Sequence, residues 1–468
     1  MPVVVPGLLW YVVGYIALMV ALGIVWSQAV HNADDFVLAG RSLGSVVLMG
    51  TMLATWCGSG TVTGGGASIG YSNGIWPAIF YNVASVTGIA VLFSISGKIR
   101  ALSKRTIPEI LEEKYGPWAR GLGTIIVLLA YVGIISYQFT GLGYVLNVTT
   151  GLPVVWGTLI GLFIMTFLAT MGGLKSVAPT DAVSAVIMLS ALVVAVPVSI
   201  AKAGGWSQVV AKVPASHFAP LGGLSVVALI GFFLPTLFLL LGDQNMYQRI
   251  AAGVGDKETR TAIKGWFVGL VIVMFSIPII ATVSRSMFPD IKPGMSLIAI
   301  TTVLPNVIGG ILLTSIAAFI VTTGDSFILS SATNFTYDFW NRYINHGMSD
   351  KNKFLLTKMM CIVLALFAYM MVNWFPSILT AQMYAYTVYG AGITPALLGG
   401  ILWKRANKWG GLSSMVVGMV VTLVWELVLH KPFGIASAVI SIPVAIVVFI
   451  VVCLVTQKPV AATLEPAV

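Results

Sequence analysis

Oxygen atoms suited to holding a small cation fall in three stretches of this chain. One is Thr322-Thr323-Gly324-Asp325-Ser326, followed by Ser330, Ser331, Thr333 and Asn334 in the same apolar run. A membrane span that rich in oxygen does not face lipid, where no water satisfies its polar groups. The second is Asp181, which follows Gly172-Gly173-Leu174-Lys175-Ser176-Val177-Ala178-Pro179-Thr180. Acidic side chains within spans are costly and mark function by default. Asp181 either serves an ion or a gate, or caps its helix. Asp243 and Glu426 stand nearer span ends, where solvation and snorkelling compete with a functional role.

The third stretch, residues 58–66, reads Gly-Ser-Gly-Thr-Val-Thr-Gly-Gly-Gly. Each glycine costs a helix about 1 kcal/mol relative to alanine, so this span is expected to unwind at mid-depth. Hydroxyls and freed carbonyls together form the cheapest oxygen cage for a hard cation such as Na⁺. A broken span of this kind points to a transporter's binding site.

Many apolar elements must position these groups. Of the 468 residues, 58% are hydrophobic and 9% charged, with a mean hydropathy of +0.97. Soluble domains carry about 25% charged residues, so an all-α integral membrane protein is expected. Runs long enough to span lie at 6–27, 44–70, 75–97, 121–147, 152–171, 178–201, 224–247, 265–287, 306–336, 354–374, 378–402, 411–429 and 436–456, about thirteen in all. With the N-terminus outside and the C-terminus cytoplasmic, 20 of the 25 basic residues fall on the cytoplasmic side. That bias is the positive-inside pattern. It places the chain in a plasma membrane and assigns the net charge of +10 to topology rather than to nucleic acid. On this reading Arg249 is a cytoplasmic topology residue, and no Lys or Arg lies at mid-membrane depth.

The loop at 98–120 carries a helix start at Thr106, Pro108 and Glu109, and a short amphipathic helix ending at Gly116 is expected. Inverted repeats each open on a broken helix in many secondary transporters. If 58–66 opens one repeat, the second should open about five spans later. Pro235 and Gly242-Asp243-Gln244-Asn245 stand there. No Ser/His/Asp or metal-ligand constellation suggests an enzyme, and Cys57, Cys361 and Cys453 follow no metal or disulfide spacing.

Four motifs together resemble the sodium:solute symporter family. They are Ala54-Thr55-Trp56-Cys57-Gly58-Ser59-Gly60, the 172–181 stretch, Gly242-Asp243-Gln244 with Tyr247-Gln248-Arg249, and residues 322–338. The resemblance implies a leucine-transporter-like fold across residues 1–468. It sets inverted five-helix repeats at 44–203 and 223–403, with accessory helices at 6–27 and 410–456. It also implies a main sodium site of Ala54, Cys57 and Phe319 carbonyls with Thr322 and Thr323 hydroxyls. Asp181, Asp325 and Ser326, with Thr322, match a second sodium site found in some members. Phe319 departs from the small residue usual in the family, without affecting a carbonyl ligand.

A solute is expected where the broken helices meet, near Trp56, Gly58, Ser59, Gly60, Thr61, Asp243 and Gln244, walled by Tyr81, Asn82, Tyr137 and Gln138. Acidic groups and Trp56 suit an amine or zwitterion through cation–π contact. The expected activity is sodium-coupled uptake of an amino acid, amine or other small polar metabolite. Monocarboxylate or sugar carriage, and a non-transporting sensor, are the alternatives. Sodium ion, the solute and the lipid bilayer are the expected partners, and the functional unit is expected to be a monomer.

Overall fold

The computed structural model describes residues 4–30, 33–102 and 104–456. Lys458 and the C-terminal tail, expected on the basic side, lie outside the described residues. Eleven described helices are long and apolar enough to cross a membrane, and one bent pair brings the number to twelve. In chain order the elements used below are α1 (Leu9–Ser27), α2 (Ser45–Trp56), α3 (Gly60–Asn73), α4 (Ile75–Leu102), α5 (Ile107–Tyr115), α6 (Pro117–Thr150) and α7 (Val154–Lys202). They continue with α8 (Val226–Gly242), α9 (Gln244–Ala252), α10 (Asp256–Met287), α11 (Asn306–Thr333), α12 (Asp350–Met371), α13 (Ile378–Leu402), α14 (Lys408–Leu423) and α15 (Ala438–Val455).

Helix α7 has 49 residues. At about 1.5 Å per residue it would run about 74 Å, over twice a bilayer core. Gly173 breaks it with φ 58 and ψ −159, so the run holds two spans. With both counted, the number of spans reaches the thirteen read from sequence.

Two spans break partway along their length. Helix α2 ends where Cys57 turns to an extended ψ of 95, and α3 departs at 53° to it. Helix α8 passes through Pro235 intact and ends at Asp243, whose ψ of 119 separates it from α9. The second break therefore comes two turns beyond the proline. Helix α5 starts at Thr106, whose hydroxyl accepts from Glu109 N at 3.2 Å, and stops at Gly116 with φ 88, as its sequence requires.

Helix α11 is the centre of the bundle. It packs against α7 and α6 and is buried continuously from Leu312 to Thr333. A helix hydrophobic and buried all round needs neighbours on every side, and this one supplies the polar face of the site. Helices α14 and α15 pack on each other and against α13.

Candidate cation and solute site

The break in α2/α3 is closed by side chains rather than by helix bonds. Cys57 N makes the last α-helical bond, to Leu53 O at 3.0 Å. Ser59 N instead donates to Gln138 Oε1 at 2.8 Å, and Gly65 N to Gln382 Oε1 at 2.9 Å. Amides from α6 and α13 thus satisfy backbone that cannot be left unpaired in hydrocarbon.

Against this break lie the two adjacent threonines of α11. Thr322 Oγ1 is 3.0 Å from Ala54 O and 2.7 Å from Ala318 O. Thr323 Oγ1 is 3.1 Å from both Ala54 O and Thr55 O. Hydroxyls and carbonyls therefore converge in a buried, uncharged oxygen cluster, the donor set that suits a hard cation. The close approach depends on Gly58: a Cβ there would lie 2.6–2.7 Å from Thr323 side-chain atoms. Cys57 and Phe319, also expected from the sequence, are fully buried, and the carbonyls that the two threonines reach across the break are those of Ala54 and Thr55.

A second polar cluster lies beside the first. Asp181 Oδ2 accepts from Thr51 Oγ1 at 2.6 Å and Thr55 Oγ1 at 3.3 Å, and Thr55 meets Ser326 Oγ at 3.3 Å. Asp325 is 4% exposed, and its Oδ1 has no hydrogen-bond partner. Arg249 corrects the reading from sequence. Helix α9 turns it into the bundle, where it is 1% exposed and its Nη2 reaches Asp181 Oδ2 at 3.4 Å and Ser326 Oγ at 2.9 Å. A basic residue near a span end reads as topology by default, and only the buried partner on α7 reveals otherwise.

Of the residues expected at the solute, Trp56, Gly58, Ser59, Gly60, Thr61, Tyr81 and Gln138 gather around the break. Trp56 donates to Ser85 Oγ at 3.1 Å and stacks on Tyr386, with ring centroids 6.3 Å apart. Tyr81 OH accepts from Gln382 Nε2 at 2.6 Å. The Gln382 side chain fills the space left by Gly60 and Gly64, where added Cβ atoms would collide with it. In this conformation the glycines make room for Gln382. Tyr137 lines a cavity of about 280 Å³ with Thr140, Lys292, Asn373, Ser377 and Ala381, opening toward the loops that carry few basic residues.

Asn82, Asp243 and Gln244 have other engagements. Asn82 Nδ2 donates to Ala78 O of its own helix at 2.8 Å. Asp243 caps α9, with Oδ1 accepting from Met246 N and Oδ2 from Tyr131 OH, both at 3.1 Å. Gln244 Oε1 accepts from Ile107 N at 3.1 Å, tying α9 to α5. Gln382, Tyr386 and Ser85 were missed from sequence. A buried amide in an apolar span, such as Gln382, was the available signal.

The basic-rich end is held by ion pairs. Glu112 of α5 pairs with Arg120 at 2.6 Å and Arg342 at 2.7 Å, and Arg120 pairs with Asp338 at 2.8 Å. Asp338 also accepts from Thr106 Oγ1 at 2.8 Å. A bundle of membrane spans with paired breaks beside a buried oxygen cluster, and with one ion-paired end, has the form of a membrane carrier.

The chain belongs to the sodium:solute symporter family, whose model matches residues 36–418. It is 24% identical over 472 residues to the osmoregulated proline transporter OpuE of Bacillus subtilis (strain 168), covering 96% of this chain and 95% of that protein. A sodium/proline symporter of Staphylococcus aureus is 25% identical over 473 residues, covering 95% and 92%. Among solved structures, the substrate-bound, outward-open state of a Na⁺-coupled sialic acid symporter superposes with a TM-score of 0.83. It is 18% identical and covers 97% of this chain and 98% of that one. The fold is the leucine-transporter-like one, and the protein is a multi-pass membrane transporter rather than an enzyme.

Proposed function

We propose that this protein accumulates a small zwitterionic amino acid, of the class that proline represents, by symport with Na⁺. The observation that carries the reading is the oxygen cluster joining Ala54 and Thr55 to Thr322 and Thr323 across the break. Sodium there would tie α2 to α11 and favour the state open at the few-basic end, taken as the outside. The solute would bind beside it, its carboxylate toward the N-terminal end of α3, where helix N–H groups and the dipole attract anions. Its amine would face the Trp56 ring. The side chains around the break, Trp56, Tyr81, Gln138, Gln382 and Tyr386, are uncharged, which favours a net-neutral solute over a sugar acid or a cation. The proline relatives support the same class.

On this reading the ion-paired end is the cytoplasmic gate. Parting of α5 from Arg120 and Arg342 would release sodium and solute inward, with the repeats at 44–203 and 223–403 rocking about the site. Uptake of labelled proline into proteoliposomes tests the proposal. Accumulation driven by an inward Na⁺ gradient and abolished by K⁺ replacement is expected. Accumulation indifferent to Na⁺ refutes the coupling. Sodium-driven uptake of a monocarboxylate or sugar, with none of proline, refutes the solute class.

A further inference from the structure

The residues that the family resemblance offers for a second sodium do not fit one here, because a guanidinium already stands among them. Arg249 Nη2 contacts Ser326 Oγ at 2.9 Å and Asp181 Oδ2 at 3.4 Å. Its Nε donates to Thr51 Oγ1 at 2.9 Å, and Nη1 to Asn245 O at 3.3 Å. Thr51 in turn donates to Asp181 Oδ2 at 2.6 Å. Arg249 is 1% exposed and Asp181 0%. Guanidinium keeps its charge in proteins, and a buried charge persists only when paired and hydrogen-bonded. The position between Asp181 and Ser326 is thus filled by a cation covalently part of the chain.

The second acid has a different neighbour. Asp325 lies one helical turn beyond Thr322, and its unpartnered Oδ1 belongs to a carboxylate lining a cavity of about 20 Å³ together with Thr322, Thr180 and Tyr15. That is room for about one water. Thr322 is also the residue whose hydroxyl reaches Ala54 O. Each acid keeps one unpartnered Oδ1; Asp181 is hydrogen-bonded to Arg249, whereas Asp325 meets that guanidinium only through space and lines the cavity with Thr322, beside the uncharged cluster. The resident cation is hydrogen-bonded to Asp181, and Asp325 keeps a carboxylate beside Thr322 whose charge a mobile cation would balance.

We propose that Arg249 is a tethered cation holding the second sodium position, so that this carrier binds a single Na⁺, at the Ala54–Thr323 cluster, with Asp325 supplying the counter-charge. The inference rests on the sodium-coupled reading above. It makes Arg249 the residue that fixes the ion-to-solute ratio.

Equilibrium ²²Na⁺ binding to purified protein in nanodiscs, without solute, separates the cases. One sodium per wild-type chain is expected. Two per chain overturns the tethered-cation inference and leaves sodium coupling standing, whereas none overturns the sodium-coupled reading itself. Arg249→Ala is expected to bind two, with a Hill coefficient above one. A folded Arg249→Ala chain that still binds one overturns the inference. Where that variant does not fold, the pair Asp181→Asn with Arg249→Gln removes both charges together. It should keep one sodium, because neither side chain supplies an oxygen to the Ala54–Thr323 cluster. Loss of sodium binding in that pair would make Asp181 a ligand of the main site and refute the assignment.

Discussion

Thr323→Ala removes one of the two side-chain oxygens of the cluster and leaves its backbone oxygens in place. Thr323 is 3% exposed, with Oγ1 at 3.1 Å from Ala54 O and Thr55 O. A hydrogen-bonding group facing a charge is worth about 1.5–3 kcal/mol. Since about 1.4 kcal/mol is tenfold, sodium half-saturation should rise about 10- to 150-fold. Without sodium, the same change removes only neutral hydrogen bonds, worth about 1 kcal/mol. The two losses separate in a thermal-unfolding titration. At a sodium concentration 100 times the wild-type dissociation constant, binding stabilises the wild type by about 2.7 kcal/mol. A variant weakened about 100-fold would retain about 0.4 kcal/mol under the same conditions. Thr323→Ser keeps the hydroxyl and should titrate like wild type. The assignment is refuted if Thr323→Ala gains the full sodium-dependent stabilisation, or if the serine variant loses it.

Two further expectations concern neighbouring parts of the bundle. Gln382→Ala strips the partners from Gly65 N and Tyr81 OH, so solute KM should rise about tenfold or more while sodium half-saturation stays within about twofold. Equal shifts in both would remove Gln382 from the solute side. At the basic-rich end, burial pushes the Glu112 carboxyl up, but hydrogen bonds from Arg342 and Arg120 outweigh it and leave its pKa below the ordinary 4.5. A depressed carboxyl pKa contributes stability that is full above the unfolded value and lost as pH falls through the folded one. Labelling of an engineered thiol beneath the ion pairs, taken relative to a fully exposed thiol at the same pH so that the shared loss of thiolate cancels, should therefore speed up below about pH 4.5 in wild type. In Glu112→Gln it should be fast at neutral pH as well. Equal labelling rates in the two chains at pH 7 would show that these ion pairs do not close that end.

Much of the site was legible because its signals are local. The glycine run, the paired threonines with Asp325, and the Asp243 break each betray themselves within one turn of sequence, through helix propensity and the cost of oxygen in hydrocarbon. Thr106, Pro108 and Gly116 likewise mark α5 by capping chemistry alone. What stayed hidden were partners across the bundle. Gln382 lies more than 300 residues from the glycine it bonds, and no periodicity in α13 singles it out. Asp243 looked like a solute ligand from its position beside a break, yet its carboxylate is occupied by the α9 cap and Tyr131.

Arg249 marks the boundary between the two kinds of knowledge. By itself the sequence determined the membrane class, the run of spans, the two breaks and the oxygen-rich helix that meets them, since each follows from composition over a few turns. Whether an arginine near a span end points to water or into the bundle depends on the free energy of the environment packed around it. Only the tertiary structure brings Asp181, Thr51 and Ser326 from three other helices to its guanidinium. A charge stays buried where such partners exist and snorkels where they do not, so that decision belongs to the fold as a whole.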